Sequence, residues 1–173
     1  MFKRFFIFLS LLIFIASCDS KTSSEVNINE VHAILIEESG TYSRKISTEN
    51  EAAQAFFDQG LRLAWGFYFP ESIASYQEAS RLDPYHPMPY WGMAHAMGPN
   101  PNSRYARMPD DPKGEGLKAI KKAIERIDKA NPLEAKLIRA LNVFYDKESI
   151  PNADERDRAY LKVMRDLNKE YPK

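Results

Sequence analysis

Residues 53–86 read AQAFFDQGLRLAWGFYFPESIASYQEASRLDPYH, and how this stretch divides decides the fold. Its first half carries Ala55, Phe56, Gln59, Leu63 and Phe67 at the three-and-four spacing of one helix face. Pro70 suits the first turn of a second helix, where its missing N–H has no intrahelical partner to lose. Beyond it Ile73, Tyr76, Ala79 and Leu82 resume the period, and Asp83-Pro84 stop it. The stretch is therefore two helices joined by a short turn.

Outward from this pair the chain keeps the same grammar. Upstream, Thr48 followed three residues later by Glu51 predicts a capping box at the start of the first helix. Downstream, Pro87 opens a third helix with Tyr90, Trp91, Met93, Ala94 and Met97, closed by Gly98-Pro99. A loop from Asn100 to Asp111 has no periodicity, and Asp111-Pro112 restarts the chain as a fourth helix with Leu117, Ile120, Ala123, Ile124 and Ile127. Asn131-Pro132-Leu133-Glu134 is a cap with its capping-box partner ahead of a fifth helix holding Leu137, Ile138, Leu141, Val143 and Phe144. Asn152 caps a sixth, with Tyr160, Leu161, Val163, Met164 and Leu167, which fades at Tyr171-Pro172. No strand run follows Thr48, so the expected fold class is all-α. Residues 27–46 are ambiguous: Val31, Ala33, Ile34, Leu35 and Ile36 suit a short strand or a helix turn, and the segment is read as an extended N-terminal arm.

From Ala53 to His86 the chain resembles one tetratricopeptide repeat, a helix–turn–helix unit of about 34 residues. Phe56 stands at the large apolar position, Gly60 where the two helices approach most closely, and Ser72 at the usual small residue. Tyr76 and Ala79 match the packing positions of the second helix, and Leu82-Asp83-Pro84 the repeat's ending. Gln59 and Leu63 depart from the usual leucine and tyrosine. Tyr90, Met93, Ala94 and Met97 begin a second frame, which the segment from Gly98 to Asp111 interrupts. The blocks Phe57-Asp58-Gln59-Gly60-Leu61, Trp65-Gly66-Phe67, Tyr90-Trp91-Gly92-Met93-Ala94 and Gly98-Pro99-Asn100 resemble the N-terminal part of a family of exported bacterial tetratricopeptide-repeat proteins. Members of that family are longer, and the resemblance implies a short α-solenoid. Such solenoids present a concave groove, lined in this family by the first helix of each pair, that takes a peptide or partner protein.

The N-terminus sets the expected location. Lys3 and Arg4 precede a mostly apolar run, Phe5 to Ala16, with the dimensions of a secretory signal rather than a membrane span. It ends in Ile15-Ala16-Ser17-Cys18, which resembles the lipobox of bacterial lipoproteins: a branched apolar residue, two small residues, then the cysteine that receives the lipid. The expected organisation is a lipoprotein signal peptide over 1–17, a lipid-anchored tether and arm over 18–47, and a helical domain over 48–173. The expected location is the bacterial cell envelope, with acyl chains of the palmitate type on Cys18. Loss of Lys3 and Arg4 with the signal would take the basic residues from 24 to 22, against 24 acidic.

Charge and motif content narrow the function. A formal net charge of zero argues against nucleic-acid binding, which needs a basic face to neutralise phosphates. With one cysteine no intrachain disulfide can form. His32, His86 and His95 lack the i, i+4 spacing that puts two metal ligands on one helix face, and neither a metal nor a cofactor is expected. No phosphate-binding glycine loop or nucleophile elbow occurs, so an enzyme is not expected. Tyr90 and Trp91 are adjacent, about 100° apart on a helix, so one of them is expected to face a groove; Trp91 is the candidate. Asn100, Asn102, Arg104, Tyr105 and Arg107 supply amide, hydroxyl and guanidinium donors in a long loop and join it as candidate partner-binding residues. The expected function is a membrane-anchored protein- or peptide-binding module. The alternative is glycan capture on the aromatic clusters around Trp65 and Trp91.

Overall fold

The computed structural model describes residues 31–98 and 109–172. Cys18, with all that precedes residue 31, lies outside the described residues, as does the segment 99–108. The described residues hold six α-helices and no strand, so the fold is all-α: α1 Glu51–Trp65, α2 Phe69–Leu82, α3 Pro87–Met97, α4 Pro112–Glu125, α5 Pro132–Tyr145 and α6 Ala153–Glu170. Each helix packs on the next, and α1 on α3 and α3 on α5 also touch.

Helix starts follow the supply of side-chain acceptors. Asp111, Asn131 and Asn152 each accept from a backbone N–H in the first turn, and Asn131 forms the full capping box with Glu134. The cap of α1 is Asn50 rather than Thr48. Asn50 Oδ1 accepts from the Ala53 N–H at 3.0 Å, while the Thr48 hydroxyl donates to Asp83 at 2.6 Å and accepts from the Asn50 N–H. Asp83 draws Thr48 toward the end of α2, so the Asn50 amide two residues on takes the cap. His86 caps α3 through Nδ1, which accepts from the Met88 N–H at 3.3 Å.

The end of α1 carries a conformational cost. The Tyr68 N–H donates to the Leu63 carbonyl and the Phe67 N–H to the Ala64 carbonyl, the paired bonds of a Schellman motif. That motif needs a left-handed residue, and here the residue is Phe67, at φ 65°, with Gly66 one place too early. Glycine would enter this conformation without the Cβ clash that Phe67 bears.

The core is organised by two tyrosines. Tyr76 of α2 is fully buried beside Phe57, with ring centroids 5.5 Å apart. A Cβ built on Gly60 of α1 would lie 2.6 Å from the Tyr76 ring, and one on Gly92 of α3 would lie closer still. The ring thus occupies the space that only two glycines leave between three helices. Tyr145, at the end of α5, lies in the same way against Gly98 and Gly116, and its hydroxyl donates to the Ala94 carbonyl at 2.6 Å. The Tyr76 hydroxyl finds no hydrogen-bond partner among the described residues.

The arm over 31–47 is neither strand nor helix. It is a strap that runs along α1, turns near Glu38 and Gly40, both at positive φ, and returns toward α2. Side chains hold its backbone. The Gln54 amide accepts from the Ile46 N–H and donates to the Arg44 carbonyl, and Asp58 accepts from the Arg44 N–H at 2.9 Å and the Ser43 hydroxyl at 2.7 Å. Gln59 accepts from the Ile36 N–H at 2.7 Å and donates to the Ile34 carbonyl at 2.9 Å, and Glu78 accepts from the His32 N–H. Gln59 is fully buried, and its amide serves as a strand edge for the strap. Ile46 enters the core.

Two substitutions test this packing. Phe67→Gly should raise unfolding stability by about 1 kcal/mol, read as a higher denaturant midpoint at unchanged slope. Gly92→Ala should lower it by about 3 kcal/mol, because the Tyr76 ring has no free volume to move into.

Candidate functional site

The strap ends at a polar junction where the exposed Ser47 meets the buried His86 and Glu134. Ser47 meets α5: its N–H donates to Glu134 Oε1 at 2.7 Å and its hydroxyl to Glu134 Oε2 at 2.5 Å. His86 Nε2 lies 3.0 Å from the same Ser47 oxygen. A serine, a histidine and a carboxylate in contact invite comparison with a catalytic triad, but the order is wrong for one. His86 Nδ1 accepts from the Met88 N–H, so Nε2 carries the proton and donates to Ser47, whose own proton goes to Glu134. The histidine is therefore no base toward the serine, and the carboxylate does not orient the imidazole. What the junction does is mechanical: it joins the strap, the α2–α3 turn and the N-terminus of α5, with Glu134 also accepting from the Asn131 N–H.

The cleft best suited to a ligand lies between α2, α3 and α4. It encloses about 490 Å³, with Ile73, Met93, Met97 and Ala119 as its apolar floor and Gln77, Ser80, Glu115, Lys118 and Lys122 at its rim. His32 of the strap and Pro109 complete it. Lys118 and Lys122 are four residues apart and share one face of α4. The Lys118 ammonium pairs with Glu115 at 2.7 Å. The Lys122 ammonium sits 5.9 Å from the centre of the Tyr90 ring, and the Arg126 guanidinium 4.7 Å from it, so cations gather around this buried phenol. Burial raises the Tyr90 phenol above its ordinary range, and the ring works as a neutral wall. Thioether and aliphatic groups below Lys122 and the Lys118–Glu115 pair suit an apolar side chain next to a carboxylate that meets Lys122.

The sequence-derived candidates distribute differently. Trp91 is 8% exposed, its indole N–H donates to the Leu137 carbonyl at 3.2 Å, and its ring stacks on His95 at 5.1 Å. Tyr90 is as buried overall, yet it is Tyr90 and not Trp91 that lines the α2–α3–α4 cleft. Trp91 instead joins α3 to α5. Asn100, Asn102, Arg104, Tyr105 and Arg107 lie outside the described residues, as does Cys18. The cleft borders both ends of that undescribed segment through Met97 and Pro109. Sequence reading missed Lys118 and Lys122, although their i, i+4 spacing was visible. Among the described residues no group of three or more His, Cys, Asp or Glu is placed to hold a metal ion. No described helix is long and apolar enough to cross a membrane. No family model, curated protein or solved structure matches the chain.

The junction makes stability depend on pH. Burial holds His86 below the ordinary imidazole range against the opposing pull of Glu134 and Asp83, and burial does the same to His95. The unfolded chain then takes up protons that the fold refuses. Stability is whole above about pH 6.5 and is lost as pH falls below it toward the depressed folded values. His86→Asn keeps a capping oxygen but cannot protonate, so its melting temperature should fall less than the native protein's between pH 7.5 and pH 5.

Proposed function

We propose that the protein is a lipid-anchored lipoprotein of the cell envelope whose tetratricopeptide-like helix pairs bind a partner protein or peptide. The repeat reading is supported by the run of contacts between consecutive helices, by the touch of α1 on α3 and α3 on α5, and by the packing of Tyr76 between Gly60 and Gly92. The observation that carries binding is the α2–α3–α4 cleft, with its Met93 and Met97 floor and its Lys118 and Lys122 rim. It takes an extended peptide in which an apolar side chain neighbours a carboxylate. The binding surface is then not the groove of first helices, because Trp91 joins α3 to α5 there and Ser47 reaches across to Glu134.

A photo-crosslinking residue at Gln77, on the rim, should capture a protein partner in intact cells. Lys118→Glu combined with Lys122→Glu should weaken that capture about tenfold, the equivalent of about 1.4 kcal/mol. No captured protein at Gln77 sinks the binding reading. The anchor is tested apart: inhibiting the lipoprotein signal peptidase should leave a heavier, unprocessed chain, and an unchanged mass removes the lipid on Cys18.

A further inference from the structure

The turn between α1 and α2 exposes an aromatic surface that meets the core only where Phe67 lies edge-on to Phe69, ring centroids 6.2 Å apart. Trp65 is 69% exposed, Tyr68 61%, Phe67 58% and, from the strap beside them, Tyr42 49%. Tyr42 and Trp65 line one shallow depression with Arg62 and the strap's Ser39, Gly40 and Thr41. The strap exposes Ile34, Leu35 and Ile36 as well. Single exposed apolar residues are ordinary, but a gathered set of large ones at one end of a helix pair marks a contact surface. Phe67 adds a second observation, since it holds the left-handed position that glycine would fill without strain. A large exposed ring is kept where the fold alone would be better served by none.

We propose that Tyr42, Trp65, Phe67 and Tyr68 form a face that docks on the bilayer interface and sets the orientation of the helical domain; this rests on the membrane-anchor reading above. About a dozen residues separate Cys18 from Val31, a reach of about 45 Å at full extension. The strap fixes where that tether enters, because the His32 N–H is held by Glu78 and the strap backbone by Gln59. Glu78 lies nine residues along α2 from Phe69, about 14 Å, so the tether's reach brings the aromatic turn to the same membrane surface at high effective concentration. Tryptophan and tyrosine, with an apolar body and a polar edge, settle at the headgroup level of bilayers. The charges nearby are mixed, Arg44, Lys45 and Arg62 against Glu37, Glu38 and Glu71, so burial of the rings drives the contact and anionic lipid is not required. A sugar platform would turn hydrogen-bonding groups toward its ligand; here the Arg62 guanidinium donates to the Ser39 hydroxyl and the Tyr42 carbonyl, and Phe67 and the aliphatic strap residues offer no polar group.

Tryptophan emission tests this in the full chain, reconstituted into phosphatidylethanolamine–phosphatidylglycerol vesicles. Of the two tryptophans Trp91 is buried, so the environment-sensitive signal comes from Trp65. Emission should shift to the blue, resist acrylamide, and be quenched by lipids brominated near the headgroup, by about twofold and independently of salt. Phe67→Gly should weaken that quenching while melting at a higher temperature than the native protein, so its loss cannot be ascribed to unfolding. Trp65 emission that stays open to acrylamide in vesicles overturns the proposal. So does emission that ignores lipid and responds to soluble glycans or to a protein partner. The intact mass of the same preparation reports the lipid on Cys18 separately, so failure of the anchor and failure of the docking face are told apart.

Discussion

The seat of Tyr76 between Gly60 and Gly92 is the constraint on which the rest of the molecule depends. A phenol ring in full burial touches the backbones of α1 and α3 only because neither helix puts a Cβ in its way. Glycine inside a helix costs about 1 kcal/mol in propensity, and both helices bear that cost to let the ring in. In return one side chain fixes the spacing of three helices at once. The buried hydroxyl without a partner is a further cost, and burial drives its ionisation far above the ordinary phenol range. Tyr145 solves the same problem with the bond left unmade at Tyr76, since its hydroxyl reaches the Ala94 carbonyl. The two tyrosines thus bracket α3, one from the α1–α2 side and one from the α4–α5 side.

The strap runs over α1 and reaches α2. The residues that receive it are polar: Gln54, Asp58 and Gln59 on α1, and Glu78 on α2. Each offers oxygen or amide groups to an extended backbone, as a neighbouring strand would, while the strap's Ile34, Leu35 and Ile36 side chains point outward. An apolar residue at Gln59 would leave the Ile36 N–H and Ile34 carbonyl facing hydrocarbon.

Helix number, helix order and most caps were legible because they depend on local chemistry: proline at first turns, Asn or Asp just before them, and apolar residues at helical spacing. Asn131 with Glu134, and Asn152, behave as their neighbours in sequence predict. What could not be read depends on partners distant in sequence. Thr48 loses its cap to Asn50 because Asp83, 35 residues away, takes its hydroxyl. Trp91 is buried because the Leu137 carbonyl, 46 residues away, accepts its N–H, and helical angle alone cannot see a second helix on that side. Gln59 departs from the leucine expected there, and the strap groups it holds, the Ile36 N–H and the Ile34 carbonyl, lie 23 and 25 residues away. The cleft was invisible for the same reason, since Ile73, Met93 and Lys122 come together only when three helices are packed.

The strap also couples surfaces that would otherwise be independent. At one end it lends Tyr42 to the aromatic face, at another His32 to the wall of the cleft, and at its close Ser47 to the junction with the buried Glu134 and His86. Its order rests on many modest bonds, each of about 1 kcal/mol, set against the entropy of fixing an otherwise extended chain. Such a segment releases cooperatively: if the junction at Ser47 opens, Ile46 loses its burial and the bonds from Gln54 onward lose their register. Protonation of His86 strikes at that point, because the imidazole would gain a donor facing the Met88 N–H and lose the cap of α3. The wall of the cleft is built partly from the same strap that leads toward the N-terminus. The strap is therefore the one element that the cleft wall, the aromatic face and the Ser47 junction have in common.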